Sequence, residues 1–361
     1  MYPESQERTG FSSPPRQAGR TFAPAGVDSS AGFGVNALGR SRLGAGSLIF
    51  FTVSASAPMT VLAGGVVAAF AVTGVTGVPL AFPVIAVVLA LFAVGYAAMS
   101  RHVVNAGVFY AYISQGLGGM WGTAASFVAL VSYNTIQIGL YGLFGAVAAG
   151  FINDKAGLTW SWWIYAFIAM ALVAILGVLK VDLNAKLLAV LLVCEVVAVV
   201  LFDVAGFTHA AGGSVSLGGL NPKNLFVAGV GGVFAFTIAC FVGFESAGDY
   251  AEEAKDPRRT VGRALAATVA ITGILYTVSA WAMSVGFGTN GVVDATRKDS
   301  SGVVFELISR HFGNTVGDIA NVLLMTSVFA SRKAAANNLR ARPVLVCGYI
   351  ALSISCVKLV G

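Results

Sequence analysis

From residue 46 onward the chain alternates long apolar runs with short polar connections. Eight runs stand out, near 46–72, 79–99, 119–150, 161–179, 184–206, 226–251, 262–287 and from Val316 to Phe329 or a little beyond. A helix needs roughly 20 apolar residues to cross a hydrocarbon core, so the pattern predicts an all-α integral membrane protein of about eight transmembrane helices. The third run is too long for one upright crossing and should be tilted or extended. Two runs carry internal breaks. In the first, SASAPM places Pro58 in mid-run, where the missing N–H and the crowding of the preceding residue make helical bonds fail around Ala55 to Ala57. In the sixth, Gly243 and Glu245 interrupt FVGFESAG before the apolar character has ended. The breaks lie five spans apart, so spans one and six should run antiparallel. Paired interrupted helices at corresponding places in two halves point to a transport site.

Composition agrees with a lipid solvent. The 361 residues are 57% hydrophobic and 11% charged, with a mean hydropathy of +0.82, against about 25% charged in soluble domains. The 44 glycines suit close helix packing in a membrane. A net charge of +6 raises nucleic acid as a partner, but the basic residues sit in short segments between apolar runs rather than on one face, so none is expected. Residues 1–45 have no apolar run and read as a disordered cytoplasmic tail. Cys194, Cys240, Cys347 and Cys356 lie in apolar stretches without ligand spacing, and His102, His209 and His311 are scattered through connections, so no metal centre is expected. The GGVG and GAG strings lack the strand–turn–helix setting of a dinucleotide site. Neither a cofactor nor an enzymatic activity is therefore expected.

Orientation follows from the cations. Arg8, Arg16, Arg20, Arg40, Arg42, Arg101, Lys180, Lys186, Lys255, Arg258, Arg259 and Arg263 fall on one side, and Lys155, Lys223, Arg297, Lys298 and Arg310 on the other. The larger set belongs inside, which puts the N-terminus in the cytoplasm of a plasma-membrane protein. Half-helix ends near the midplane expose backbone N–H groups that favour a carboxylate and carbonyls that favour a cation. An amino acid, or a related organic amine, fits two such ends. The candidate substrate residues are Ser54, Ala55, Ser56, Ala57 and Pro58 on one side and Phe241, Gly243, Phe244 and Glu245 on the other, with Phe241 or Phe244 able to close over the ligand. Glu195 lies deep in the fifth run, where a charge costs at least about 2.5 kcal/mol by insertion scales, so it should be neutral part of the time or partnered. That marks it as a candidate for proton or ion coupling, against a structural hydrogen bond. Glu252, Glu253 and Asp256 read as a charge network at the inner interface.

The stretch GFESAGDYAEEAKDPRRTVGRAL, Gly243 to Leu265, resembles the sixth helix and following loop of amino acid permeases of the amino acid–polyamine–organocation (APC) superfamily. NAGVFYAYISQGLG, Asn105 to Gly118, is similar to that family's link between helices two and three, and ASAPMTVLAGG to its first-helix break in one branch. The resemblance implies an inverted-repeat helical bundle with discontinuous helices 1 and 6, alternating access, and symport or antiport of amino acids with H⁺ or Na⁺. It carries substrate contacts onto Ser56, Ala57, Pro58, Phe241, Gly243 and Phe244. Some proton-coupled relatives have a lysine at the position matching Glu195; the acid here departs from lysine-type coupling and leaves carboxylate coupling open. The permease domain spans about 46–330, with a first repeat to about 206 and a partial second repeat from about 226. Residues 331–361, SRKAAANNLRARPVLVCGYIALSISCVKLVG, depart from the family pattern, and Pro343 to Val357 barely reaches a span. The expectation is a truncated or frameshifted reading frame with impaired transport, which an intact frame on resequencing the locus would refute. The alternative to a transporter is a receptor or channel-like membrane protein.

Overall fold

A computed structural model of the chain describes residues 44–100, 102, 108–178, 185–248 and 257–339. Residues 1–43 of the expected tail, Arg101, Lys180, Lys255, the Glu252, Glu253 and Asp256 network, and residues 340–361 with Cys347 and Cys356 lie outside them, as do the side chains of Lys186 and Arg258.

The described residues are helical, with no strand. The first run forms α1 (Ala45–Ala55), then α2 (Pro58–Thr60), a π turn over Val61–Val66 and α3 (Val67–Thr73). The second is α4 (Val78–Ser100), and the third is α6 (Gly119–Ala156). The 38 residues of α6 span about 57 Å at 1.5 Å each, well beyond a bilayer core. The fourth and fifth are α7 (Trp162–Val178) and α8 (Ala185–Thr208). A short α9 (Pro222–Leu225) precedes α10 (Val230–Cys240), which gives way to a 3₁₀ turn over Phe244–Ala247. The seventh and eighth runs are α11 (Pro257–Gly286) and α14 (Asn314–Leu339). Among the described residues six of these stretches are long and apolar enough to cross a membrane; α7 and α14 do not reach that standard.

Two connections read as links are helices. Val108–Leu117 forms α5, and the segment after α11 folds into α12 (Val292–Lys298) and α13 (Val303–Phe312). The reason for α13 is legible in VVFELISRHF: Val303, Val304, Leu307 and Ile308 are buried while Glu306 and Arg310 pair one turn apart on the open side.

Helix α8 shows how the bundle meets its solvent. Val190, Val193, Val197, Val200 and Val204 form an exposed apolar stripe at helical spacing, whereas Leu192, Val199, Phe202 and Ala205 are buried. So large an apolar surface is tolerable against lipid tails, and the protein is a multi-pass membrane protein. Small residues set the helix pairings. Asp203 lies beside Ser279 and Gly206 against Ala282, so α8 and α11 run parallel. Gly262 meets Ala97 and Gly273 meets Ala86, so α4 and α11 run antiparallel.

Candidate functional site

The first break follows from one missing donor. Helix α1 closes with Ser56 N–H bonding Thr52 and Val53 carbonyls at 3.2 Å and Ala57 N–H bonding Ser54 O at 3.2 Å. Pro58 has no N–H to continue the ladder, and Ala57 turns to φ 42°, ψ 71°, a left-handed conformation that costs a non-glycine residue about 1–2 kcal/mol. Helical bonding resumes with Val61 N–H to Ala57 O at 3.1 Å. Two carbonyls, of Ala55 and Ser56, and the two amides that would pair with them, of Met59 and Thr60, are thereby released from the helix. Ser56 O accepts the Tyr276 hydroxyl at 3.2 Å. Met59 N–H, which an unbroken helix would direct to Ala55 O, lies beside the Glu195 carboxyl. Ala55 O faces the second break.

That second break pivots on Gly243, at φ 109°, ψ −21°. Its sharp turn is held by the carboxylate two residues on. Glu245 Oε2 accepts Gly243 N–H at 2.9 Å and Oε1 accepts the Tyr133 hydroxyl of α6 at 2.6 Å. The Glu245 carbonyl accepts Gly248 N–H at 2.9 Å and the Tyr96 hydroxyl of α4 at 3.3 Å. The carboxylate therefore closes the turn and ties it to α6, while the main-chain carbonyl of the same residue ties it to α4.

The two breaks touch. A Cβ placed on Gly243 would stand 3.0 Å from Ala55 O and 3.2 Å from Ser56 N. Further along, Gly65 packs on the Cys240 side chain and Gly232 on Thr73, so the broken helices pair antiparallel over their length. Ser56, Ala57, Pro58, Phe241, Phe244 and Glu245 are all buried there. Ser54 and Ala55 are less enclosed. Phe241 stacks between Phe82 and Tyr276, with centroids 6.3 and 5.7 Å away, and Phe244 lies 6.2 Å from Phe92.

Tyr276, Tyr133, Tyr96 and Phe82 escaped the sequence reading. A signal was available, because a tyrosine inside an apolar run carries a hydroxyl that must find a partner. Glu195 is buried at 5% exposure beside Met59 N–H and Ser327 of α14, and its Oε2 has no hydrogen-bond partner. It stands at the N-terminal end of the second half of the broken helix, where the helix dipole favours a carboxylate.

A polar cleft of 340 Å³ lies apart from the breaks, among α6, α13 and α14. Most of its charges are engaged: Lys155 bonds Asp318 at 2.7 Å, Arg310 pairs with Glu306, and Asp299 accepts the Ser301 and Gly302 amides. His209 and His311, read as scattered, stack ring on ring with centroids 3.8 Å apart.

Among models of known protein families, the one described as amino acid permease matches residues 48–336. No curated protein matches the chain.

Proposed function

This chain belongs to the amino acid permease family, and from that premise we propose that it carries amino acids across the plasma membrane by alternating access, driven by an ion. The observation that carries this reading is the direct contact of two helix breaks. At such a junction the amide end of α2 and the carbonyl end of α1 lie near one another, and a zwitterion presents one charge to each. The small side chains of Ser56, Ala57 and Gly243 put little bulk between substrate and backbone when the junction opens, and Phe241 and Phe244 supply apolar cover. Glu245 contributes by holding the turn. Glu195 is the coupling carboxyl, H⁺ the ion it takes, and the N-terminus lies on the cytoplasmic side.

The test is uptake of each of the twenty common amino acids, radiolabelled, by proteoliposomes holding the purified chain. Saturable uptake or exchange of a subset is expected. No uptake or exchange of any of them by folded, inserted protein would sink the proposal.

Tyr276→Phe removes the donor to Ser56 O without removing the ring that packs Phe241 and Phe82. A net hydrogen-bond contribution of about 0.5–1.5 kcal/mol predicts uptake slower by about two- to tenfold. Initial rates normalised to inserted protein check it, and an unchanged rate would show that the carbonyl needs no partner during transport.

A further inference from the structure

A second buried carboxyl is left unused by the substrate site. Asp203 follows Glu195 by eight residues on α8, about 12 Å along the axis at 1.5 Å per residue. It is 7% exposed and lies beside Ser279 of α11, itself 1% exposed. Neither Asp203 Oδ1 nor Ser279 Oγ completes a hydrogen bond. Among the described residues neither Asp203 nor Glu195 forms an ion pair. A carboxylate buried in a membrane helix without a cationic partner is costly, and the outward face of the same helix is built of valines. An aliphatic residue would pack there without that cost, so the acid calls for a function. A bound proton cancels the charge and supplies the donor that the Ser279 oxygen lacks.

The neighbouring groups give this proton a direction. Helix α11 runs parallel to α8, and Tyr276, one turn before Ser279, lies in the electrostatic surroundings of Glu195 and reaches Ser56 O at the first break. Carboxyl and hydroxyl groups thus succeed one another as Asp203, Ser279, Tyr276 and Glu195.

We propose that Asp203 is a second proton-binding site, which supplies Glu195 from the C-terminal end of α8. The proposal rests on the reading of Glu195 as the coupling carboxyl. In the transfer one O–H bond of the Asp203 acid breaks and one forms on the Glu195 carboxylate, the Ser279 and Tyr276 hydroxyls being the polar groups between. Asp203 is left charged until a proton arrives from that end.

Other groups on or against α8 have their own engagements. His209 ends the helix and stacks on His311 of α13, whose desolvation, with His209 and Arg310 nearby, holds it below the usual histidine range. Arg310 pairs with Glu306, and Asp318 of α14 with Lys155.

Infrared difference titration of the chain in lipid reads protonated buried carboxyls directly. Two such signals are expected, one removed by Asp203→Asn and the other by Glu195→Gln. In proteoliposomes, using the amino acid that wild type takes up fastest, Asp203→Asn should lose about tenfold of the acceleration given by an inward proton gradient. Exchange at equal pH should stay within about twofold, because Asp203 touches neither break. An infrared spectrum unchanged by Asp203→Asn overturns the proposal. Loss of the Asp203 signal, with the proton response intact in Glu195→Gln, would keep Asp203 as a proton-binding site but overturn the Glu195 reading and with it the transfer to Glu195.

Discussion

Gly243→Val should abolish amino acid uptake while leaving the chain folded in the membrane. Two costs coincide at this residue. Its φ of 109° belongs to the region that side-chain-bearing residues avoid, at about 1–2 kcal/mol for an ordinary residue. The added Cβ would also press on Ala55 O at 3.0 Å, Ala55 C at 3.1 Å and Ser56 N at 3.2 Å, all backbone atoms that cannot swing aside. Forcing extra carbon into a packed site costs a further 1–3 kcal/mol or so. Together, roughly 3 kcal/mol placed on the junction of the two breaks corresponds to a loss of about a hundredfold in rate. Gly231→Ala is the control, since that glycine lies within α10 with nothing within 4 Å of the added carbon, and its uptake should stay within about twofold. Initial uptake rates measured beside monodispersity in detergent separate a lost site from a lost fold. A Gly243→Val protein that transports at the wild-type rate would show that the contact between the breaks is dispensable.

The parts of this molecule legible in its sequence are those dictated by single residues acting on their own backbone. Pro58 removes one N–H, so the first break could be placed to within a residue, and Gly243 marked the second. Helix positions followed from apolar run length, because a bilayer imposes that length on every span. Arrangements that depend on long-range pairing were hidden. Glu245 reads in the sequence either as a site residue or as a cap on the second half-helix, and its partners Tyr133 and Tyr96 lie in other helices that only folding brings near. Asp203 stands in the sequence as an acid near the end of an apolar run, and its significance depends on Ser279, which no local pattern connects to it. The links misread for another reason. GVFYAYISQGLGG, rich in glycine and polar residues, reads as a polar link, and its Val108–Leu117 part is the helix α5. Here Ala111 and Tyr112 are buried, Tyr112 against the Tyr96 ring at 5.3 Å, and packing overrides the weak local preference.

Glu245→Ala should also stop transport, by releasing the turn rather than by removing a substrate contact. The carboxylate accepts two hydrogen bonds, from Gly243 N–H at 2.9 Å and from Tyr133 at 2.6 Å. Bonds to a charged acceptor contribute about 1.5–3 kcal/mol each, so losing both should lower the detergent melting temperature clearly and cut uptake by at least about a hundredfold. Glu245→Gln is the sharper probe. Its amide oxygen still accepts one donor, but its NH₂ group must face the other, so an intermediate loss is expected. Tyr133→Phe removes that second donor and should relieve part of the conflict. The double variant Tyr133→Phe with Glu245→Gln is therefore expected to lose less than the sum of the two single changes, by about 0.5–2 kcal/mol, because the residues are in contact. A carboxylate that bound the substrate ammonium would behave differently. Glu245→Gln would then raise KM at unchanged melting temperature, and its effect would be the same with or without the Tyr133 hydroxyl. KM and melting temperature measured across the four proteins of this cycle decide between the two roles, and strict additivity would overturn the assignment of Glu245 to the turn.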